Sequence, residues 1–252
     1  MIKTTNPKEI DFKSLFDLTD KNIIITGHKG LIGRAFAEAC SQFGANVYGL
    51  DVPETDVTNE DSINNFINNI IKGGSKIDGL VNCHWAKPEN FFDTVEEYTE
   101  DTWDEVMRVN LKGTFLVSKL VGKHMAETGG GSIVNIASTY SVVAPNHKIY
   151  DGIQQALKSP ASYAASKGGI MAFSNYLATY WADKNIRVNM ITPHGVWNNH
   201  EKQFEDNFAE LSPMKRLSFN YEVAGGLVYL LSNASSYVTG HNLIIDGGWT
   251  SW

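Results

Sequence analysis

Six short apolar runs, each parted from the next by a longer stretch with helical spacing, set the outline of this 252-residue chain. The runs are "NIIIT" (22–26), "NVYGL" (46–50), "IDGLVN" (77–82), "SIVNIA" (132–137), "IRVNMIT" (186–192) and "NLIID" (242–246). Most are apolar throughout, which suits strands covered on both faces. Helical patterns near 31–43, 59–72, 101–127, 162–183 and 221–231 lie between them. Strand and helix alternating in this way generate right-handed crossovers and a parallel sheet. The expected fold is α/β, a doubly wound parallel sheet with helices on both faces, in which ligands bind beyond the carboxyl ends of the strands.

No Pro/Gly/Ser-rich spacer, fixed-period repeat or long charge run divides the sequence, so residues 1–252 are expected to form a single domain. A net charge of -7, with no clustered Lys and Arg to bind a phosphate backbone, argues against a nucleic-acid partner. The start, "MIKTTNPKEIDFKS", mixes charges and a proline where a secretion signal would be apolar, and no apolar run approaches the ~20 residues of a membrane span. The chain reads as cytoplasmic, with no membrane partner. Cys40 falls in a helical pattern and Cys83 at a strand end, and neither has metal-ligand spacing, so both are expected to be buried core thiols. The seven histidines include no His-x-x-x-His pair. No metal site is expected.

The first run leads into "TGHKGLIG" (26–33), a glycine-rich turn between a strand and a helix. Gly27, Gly30 and Gly33 there allow a tight turn and close backbone approach to a pyrophosphate, with Lys29, Leu31 and Ile32 between them at the helix start. Asp51 closes the second run, 18 residues after Gly33, where a carboxylate accepts hydrogen bonds from a ribose diol. The same charge repels a 2′-phosphate, so NAD is expected in preference to NADP. Lys29 is the one nearby cation that argues otherwise, and it is read as solvated.

In "SYAASKGG" (162–169), Tyr163 and Lys167 stand four apart on one helix face among small residues. A phenol titrates near 10, and an ammonium held close can lower that by about 1–3 units. Tyr163 would then serve as a general acid/base.

The glycine-rich turn, "VMRVNLKGTF", "IVNIAS", "YAASK" and the closing "DGGW" together resemble the classical short-chain dehydrogenase/reductases, over nearly the whole chain from about residue 18. The resemblance implies a Rossmann-type NAD(P)-binding domain and a catalytic set of Asn110, Ser138, Tyr163 and Lys167. In it, Tyr163 transfers the proton on the substrate oxygen, and Ser138 hydrogen-bonds that oxygen. Lys167 lowers the tyrosine pKa and holds the nicotinamide ribose, while Asn110, mid-helix, holds a water linking the lysine to solvent. It also implies a homodimer or homotetramer built on helices 101–127 and 162–183.

Several features depart from the family pattern. Leu31 replaces the usual middle glycine, and "VNCHWA" retains only Asn82 of the usual strand ending, with Trp85 bringing bulk toward the cofactor. "PHGV" keeps Val196 where its backbone would bind the carboxamide, and His194 fills a glycine position. The connection "VPET" after Asp51 is short, so the family's third strand is expected to be vestigial, with Asp56 and Val57 lining the adenine. Conversely, 25 positions separate Ser138 from Tyr163. The extra "NHKIYDGIQQALKSP" (146–160) must lie beside the substrate, and a helical turn stopped by Pro160 is expected within it. It has too few apolar residues for a core of its own and is expected to act as a substrate lid. Its His147, Tyr150, Asp151, Gln154 and Gln155 suit a polyhydroxylated substrate.

This insertion and the ending "DGGWTSW" look most like flagellin-modification and surface-sugar oxidoreductases. The leading expectation is an NAD-dependent enzyme interconverting a secondary alcohol and a ketone on a sugar-like substrate in surface-glycan biosynthesis. The alternatives are a 3-oxoacyl-type reductase, against which Asp51 and the acidic charge speak, and a non-catalytic NAD-binding sensor or scaffold, against which the complete catalytic set speaks.

Overall fold

The computed structural model describes residues 6–153 and 158–252. Six strands, β1 (Asn22–Thr26), β2 (Asn46–Leu50), β3 (Gly79–Asn82), β4 (Gly131–Ile136), β5 (Ile186–Pro193) and β6 (Asn242–Ile245), form one sheet in the order β2-β1-β3-β4-β5-β6. Every pairing is parallel. The connections leave β1 in opposite directions, toward β2 on one side and β3 on the other, so a crevice opens at the carboxyl ends of β1 and β3. No strand forms at 51–58, where the chain turns directly into α2 (Glu60–Ile71).

Side-chain alternation along the strands supplies two cores. On one face Ile24, Leu80, Ile133 and Val188 meet Ile63 and Ile67 of α2, Val117, Val121 and Met125 of α4 (Thr114–Glu127), and Leu177 of α5 (Ala161–Tyr180). On the other, Ile23, Ile25, Val81, Val134 and Ile191 meet Phe36 and Cys40 of α1 (Leu31–Gln42), and Val223, Leu227 and Leu230 of α7 (Asn220–Leu231). Each fully buried side chain of this kind contributes roughly 1.5–3 kcal/mol, which makes the sheet the rigid base of the molecule.

The pattern at 101–127 forms no continuous α-helix. It divides into α3 (Glu100–Val106), a π-helical turn (Met107–Gly113) and α4. Spacing also missed α6 (Lys202–Leu211), whose Phe204, Phe208 and Leu211 follow a helical stripe within a polar segment. That stripe forms a third, small core with Ile149, Leu217 and Trp249.

The inserted segment joins this third core. Among its described residues a helical turn spans His147–Tyr150, and Pro160 precedes α5; the turn expected within "DGIQQALKSP" falls largely on residues outside those described. Residues 154–157, with Gln154 and Gln155, lie outside the described residues. Ile149 is buried, and Asn207 of α6 donates from Nδ2 to the carbonyls of Ile149 and Asp151, at 3.3 and 2.7 Å. The segment is thus held by α6 as well as by its own ends.

Candidate active site

Four predicted residues converge at the carboxyl edge of the sheet. Ser138 follows β4 by two residues in extended backbone, and its hydroxyl accepts from the Tyr140 N–H at 3.2 Å. α5 presents Tyr163 and Lys167 on one face, and the Ser138 hydroxyl hydrogen-bonds that of Tyr163. Lys167 is 3% exposed, and its Nζ donates to the Ile136 carbonyl at 2.6 Å. The ammonium also lies 5.6 Å from the centre of the Tyr163 ring.

Asn110 occupies the π turn, a geometry that recurs at functional sites because it rotates one side chain out of helical register. Its amide is fully buried, accepting from the Ala86 N–H at 2.9 Å and donating to Ser166 Oγ at 3.1 Å. Ser166 in turn donates to the Tyr163 carbonyl at 2.9 Å. The Asn110 side chain thereby ties the loop after β3 to the turn of α5 that carries Tyr163. Its backbone carbonyl accepts from Thr114 Oγ1 at 2.7 Å.

The expectation that Lys167 depresses the Tyr163 pKa is corrected by the structure. Burial pushes the phenol up to about 12, with the Ser138 hydrogen bond acting in the opposite direction. Burial likewise brings the Lys167 ammonium down to about 8. Removing each group from water disfavours its charged form. Tyr163 is therefore held as a proton donor at neutral pH.

The glycine-rich turn lies at the same edge of the sheet, between β1 and α1. Gly27 has φ +66°, and its N–H donates to the Leu50 carbonyl at 2.9 Å, linking the ends of β1 and β2. A Cβ on Gly33 would stand 2.1 Å from the Gly27 carbonyl oxygen, so only glycine lets α1 start this close to the turn. Gly30 caps α1 without a side chain, leaving the first-turn N–H groups around Leu31 and Ile32 free of a side-chain cap. Asp51 accepts the Lys29 N–H at 3.0 Å, and its carboxylate stands beside the turn with His28 Nδ1 at 3.8 Å. These features fit a dinucleotide, with pyrophosphate on the turn and ribose at Asp51.

The remaining residues expected at the groove make other contacts in the structure. Lys29 is not simply solvated: its Nζ pairs with Glu54 at 2.7 Å and donates to the Val52 carbonyl at 3.3 Å. Val57 is buried in the first core against Gly113, and Asp56 accepts from the Thr58 N–H and hydroxyl, both at 2.8 Å. Asn82 donates inward to Ser118 at 3.0 Å and Asn135 at 2.8 Å. Val196 packs on the second core, in a parallel bridge with Ser218.

Sequence reasoning missed the aromatic enclosure around Tyr163. Trp85, Phe91 and Tyr140 stand edge-on to its ring, at 6.0, 6.0 and 6.4 Å. Trp85 is half exposed, so one flank of this enclosure is open to a ligand. His194 bonds Thr139 Oγ1 through Nδ1 at 2.6 Å and packs on Trp249 and Phe208, and burial brings it down to about 4. His84 is buried, pairs through Nδ1 with Thr26 Oγ1 at 2.6 Å, and is also brought down to about 4 by burial. Burial pushes both thiols up to about 12, although Cys83 is partly exposed where a core position was expected. Among the described residues no cluster of His, Cys, Asp and Glu is suited to a metal, and no helix is long and apolar enough to cross a membrane.

A family model described as "Enoyl-(Acyl carrier protein) reductase" matches residues 48–250. The NAD-dependent glycerol dehydrogenase of Listeria innocua is 35% identical, the match covering 95% of this chain and 97% of that one. The chain is a classical short-chain dehydrogenase/reductase. As a member of that family it is an NAD(P)-dependent oxidoreductase. The D-threitol dehydrogenase of Mycolicibacterium smegmatis shares 30% identity with this dehydrogenase, over 98% and 99% of the two chains. Among solved structures, a short-chain dehydrogenase from Leptospira borgpetersenii with bound NAD+ superposes with a TM-score of 0.86 at 33% identity, covering 96% of each chain. A gluconate 5-dehydrogenase from Burkholderia cenocepacia, in complex with NADP and tartrate, gives a TM-score of 0.84 at 25% identity, covering 95% of this chain and 98% of that one.

Proposed function

We propose that this dehydrogenase is a cytoplasmic, NAD-preferring enzyme that interconverts a secondary alcohol and a ketone on a small polyol or sugar-like molecule. The observation that carries the reading is the Ser138–Tyr163–Lys167 cluster at the mouth of the glycine-turn groove, in a chain whose relatives include glycerol and threitol dehydrogenases. Gly27, Lys29, Gly30, Leu31, Ile32, Gly33 and Asp51 would hold the dinucleotide on this side of the site, with Asn82 and Val196 contributing backbone alone. When bound, the nicotinamide supplies or takes the hydride.

The protein's own work is on the oxygen and its proton. Ser138 holds the substrate oxygen, and Tyr163 gives its hydroxyl proton to that oxygen in reduction or takes it back in oxidation. Lys167 keeps a positive charge beside the phenol while anchoring α5 to β4. Asn110, held at both ends of its amide, fixes the loop after β3 against α5.

Asp51, with Glu54 occupying Lys29, favours NAD by charge. A net charge of -7 is a poor match for an acidic carrier protein, which sets aside the 3-oxoacyl alternative. A sensor or scaffold would not need the complete catalytic set. A role in surface-glycan assembly rests on the insertion and the "DGGWTSW" ending alone. The test is a screen of polyols, sugars, sugar nucleotides and acyl thioesters with NAD and NADP, read by nicotinamide absorbance. Turnover of a polyol with NAD supports the proposal, and turnover confined to acyl thioesters or sugar nucleotides contradicts it.

A further inference from the structure

The hydroxyls beyond Tyr163 form a group of their own. Tyr140 stands edge-on to Tyr163 at 6.4 Å, and its hydroxyl faces those of Tyr150 and Ser159, both from the inserted segment. Tyr150 is fixed by packing: its ring lies 5.8 Å from Phe204 of α6, and the preceding residue, Ile149, is buried in the third core. Ser159 is fixed by backbone, because Lys158 donates its N–H to the Phe92 carbonyl at 3.1 Å and Pro160 opens α5 directly after it. Ser159 is 7% exposed, yet its Oγ has no well-aligned hydrogen-bond partner. The three oxygens are near enough to perturb one another, yet neither phenol gives Ser159 Oγ an aligned bond. A buried hydroxyl left in this state costs about 1–3 kcal/mol. The cost is removed by any ligand that brings a hydroxyl to the same place.

We infer that Tyr150 and Ser159, with Tyr140 between them and the catalytic tyrosine, form a subsite for a second substrate hydroxyl close to the reacting carbon. This deepens the polyol reading and rests on it. The subsite selects for a diol or longer polyol over a simple secondary alcohol, since a substrate lacking the second hydroxyl leaves Ser159 Oγ unpaired. A site built to hydrogen-bond a hydroxyl rejects analogues lacking it far more strongly than an apolar pocket rejects a missing methylene. Trp85 and Phe91, on other edges of the Tyr163 ring, leave the apolar face of such a molecule a wall to lie against.

The experiment compares glycerol with propan-2-ol, the simple secondary alcohol of the same carbon skeleton, as probes, in wild type, Ser159→Ala and Tyr150→Phe, measuring kcat and KM with NAD and the NADH dissociation constant by fluorescence. Wild type is expected to prefer glycerol by at least about tenfold in kcat/KM, and each variant to reduce that preference about tenfold, mainly through KM for glycerol. The NADH dissociation constant should stay within about twofold, which a general loss of structure would not allow. Wild type inert toward both alcohols and toward every longer polyol contradicts the polyol reading and this inference with it. An active enzyme whose preference is unchanged in both variants overturns the subsite alone.

Discussion

Lys167 reaches from α5 to the last residue of β4, donating from Nζ to the Ile136 carbonyl at 2.6 Å. Because Ile136 precedes Ser138 by two residues, this one bond sets the register between the strand end carrying the serine and the helix carrying Tyr163. The cation beside the phenol ring therefore also aligns it.

That arrangement predicts the pH dependence of the two reaction directions. Tyr163 sits near 12 and is protonated at neutral pH, so reduction starts with the correct form. Oxidation needs the deprotonated form, whose fraction grows about tenfold per pH unit below that value. The kcat/KM for alcohol oxidation should thus rise from neutral pH upward, flattening as Lys167 loses its proton near 8. Reduction should change little over the same range. An oxidation rate that falls as pH rises contradicts the assignment of the base.

Cofactor choice is set at the end of β2. Asp51 stands beside the glycine turn, and Glu54 neutralises Lys29, so the Asp51 charge would repel a 2′-phosphate bound there. NAD should be favoured over NADP by at least about tenfold in kcat/KM, equivalent to ~1.4 kcal/mol. Asp51→Asn should narrow that ratio by weakening NAD and admitting NADP. Equal efficiencies in wild type would show that Lys29 escapes Glu54.

The buried histidines couple stability to acid. His84, brought down to about 4 from 6.5, must stay neutral beside Thr26 and Lys167. Its unfolded form binds a proton first, so stability present above 6.5 is lost as pH falls toward 4, by up to about 3 kcal/mol. His194 acts in the same direction. The melting temperature of wild type should fall between pH 7 and 5, and His84→Asn should fall less steeply. Parallel curves for the two proteins would assign the acid sensitivity elsewhere.

The outer face of α3 to α5 carries exposed Trp103, Phe115, Tyr176 and Tyr180, with Tyr176 and Tyr180 stacked at 5.6 Å. A 510 Å³ cavity lined by Met107, Leu111 and Phe115 lies on the same face. Exposed apolar surface on this scale marks association, so a dimer or tetramer is expected in solution. Light scattering should give a smaller species for the double variant Phe115→Glu, Tyr176→Glu. A wild-type monomer at micromolar concentration contradicts the expectation.

Most strands were legible because they are apolar on both faces, as at Ile23, Ile24 and Ile25, and the Ser138–Tyr163–Lys167 cluster was legible from its motif. Two structural features were not. The π turn leaves no mark in spacing, since Asn110 leaves helical register through bonds to Ala86 and Ser166 that are distant in sequence. α6 was hidden because its stripe of Phe204, Phe208 and Leu211 finds its partners in Ile149 and Trp249, on separate segments. Motif position carries no side-chain direction, as at Val57 and Asn82, whose side chains turn inward to the core and to Asn135. The tyrosine pKa failed for a related reason, because pair spacing carries the attraction of Lys167 but not the cost of burying both groups.

The most direct test of the account is Tyr163→Phe, which removes the proton while keeping the ring among Trp85, Phe91 and Tyr140. NADH binding is measured by fluorescence and polyol oxidation by nicotinamide absorbance. The variant is predicted to bind NADH within about threefold of wild type and to lose several orders of magnitude in kcat, since general acid/base transfer alone typically contributes about 10²–10⁴-fold. Undiminished turnover in the variant would contradict the assignment of Tyr163 as the acid and base of this enzyme.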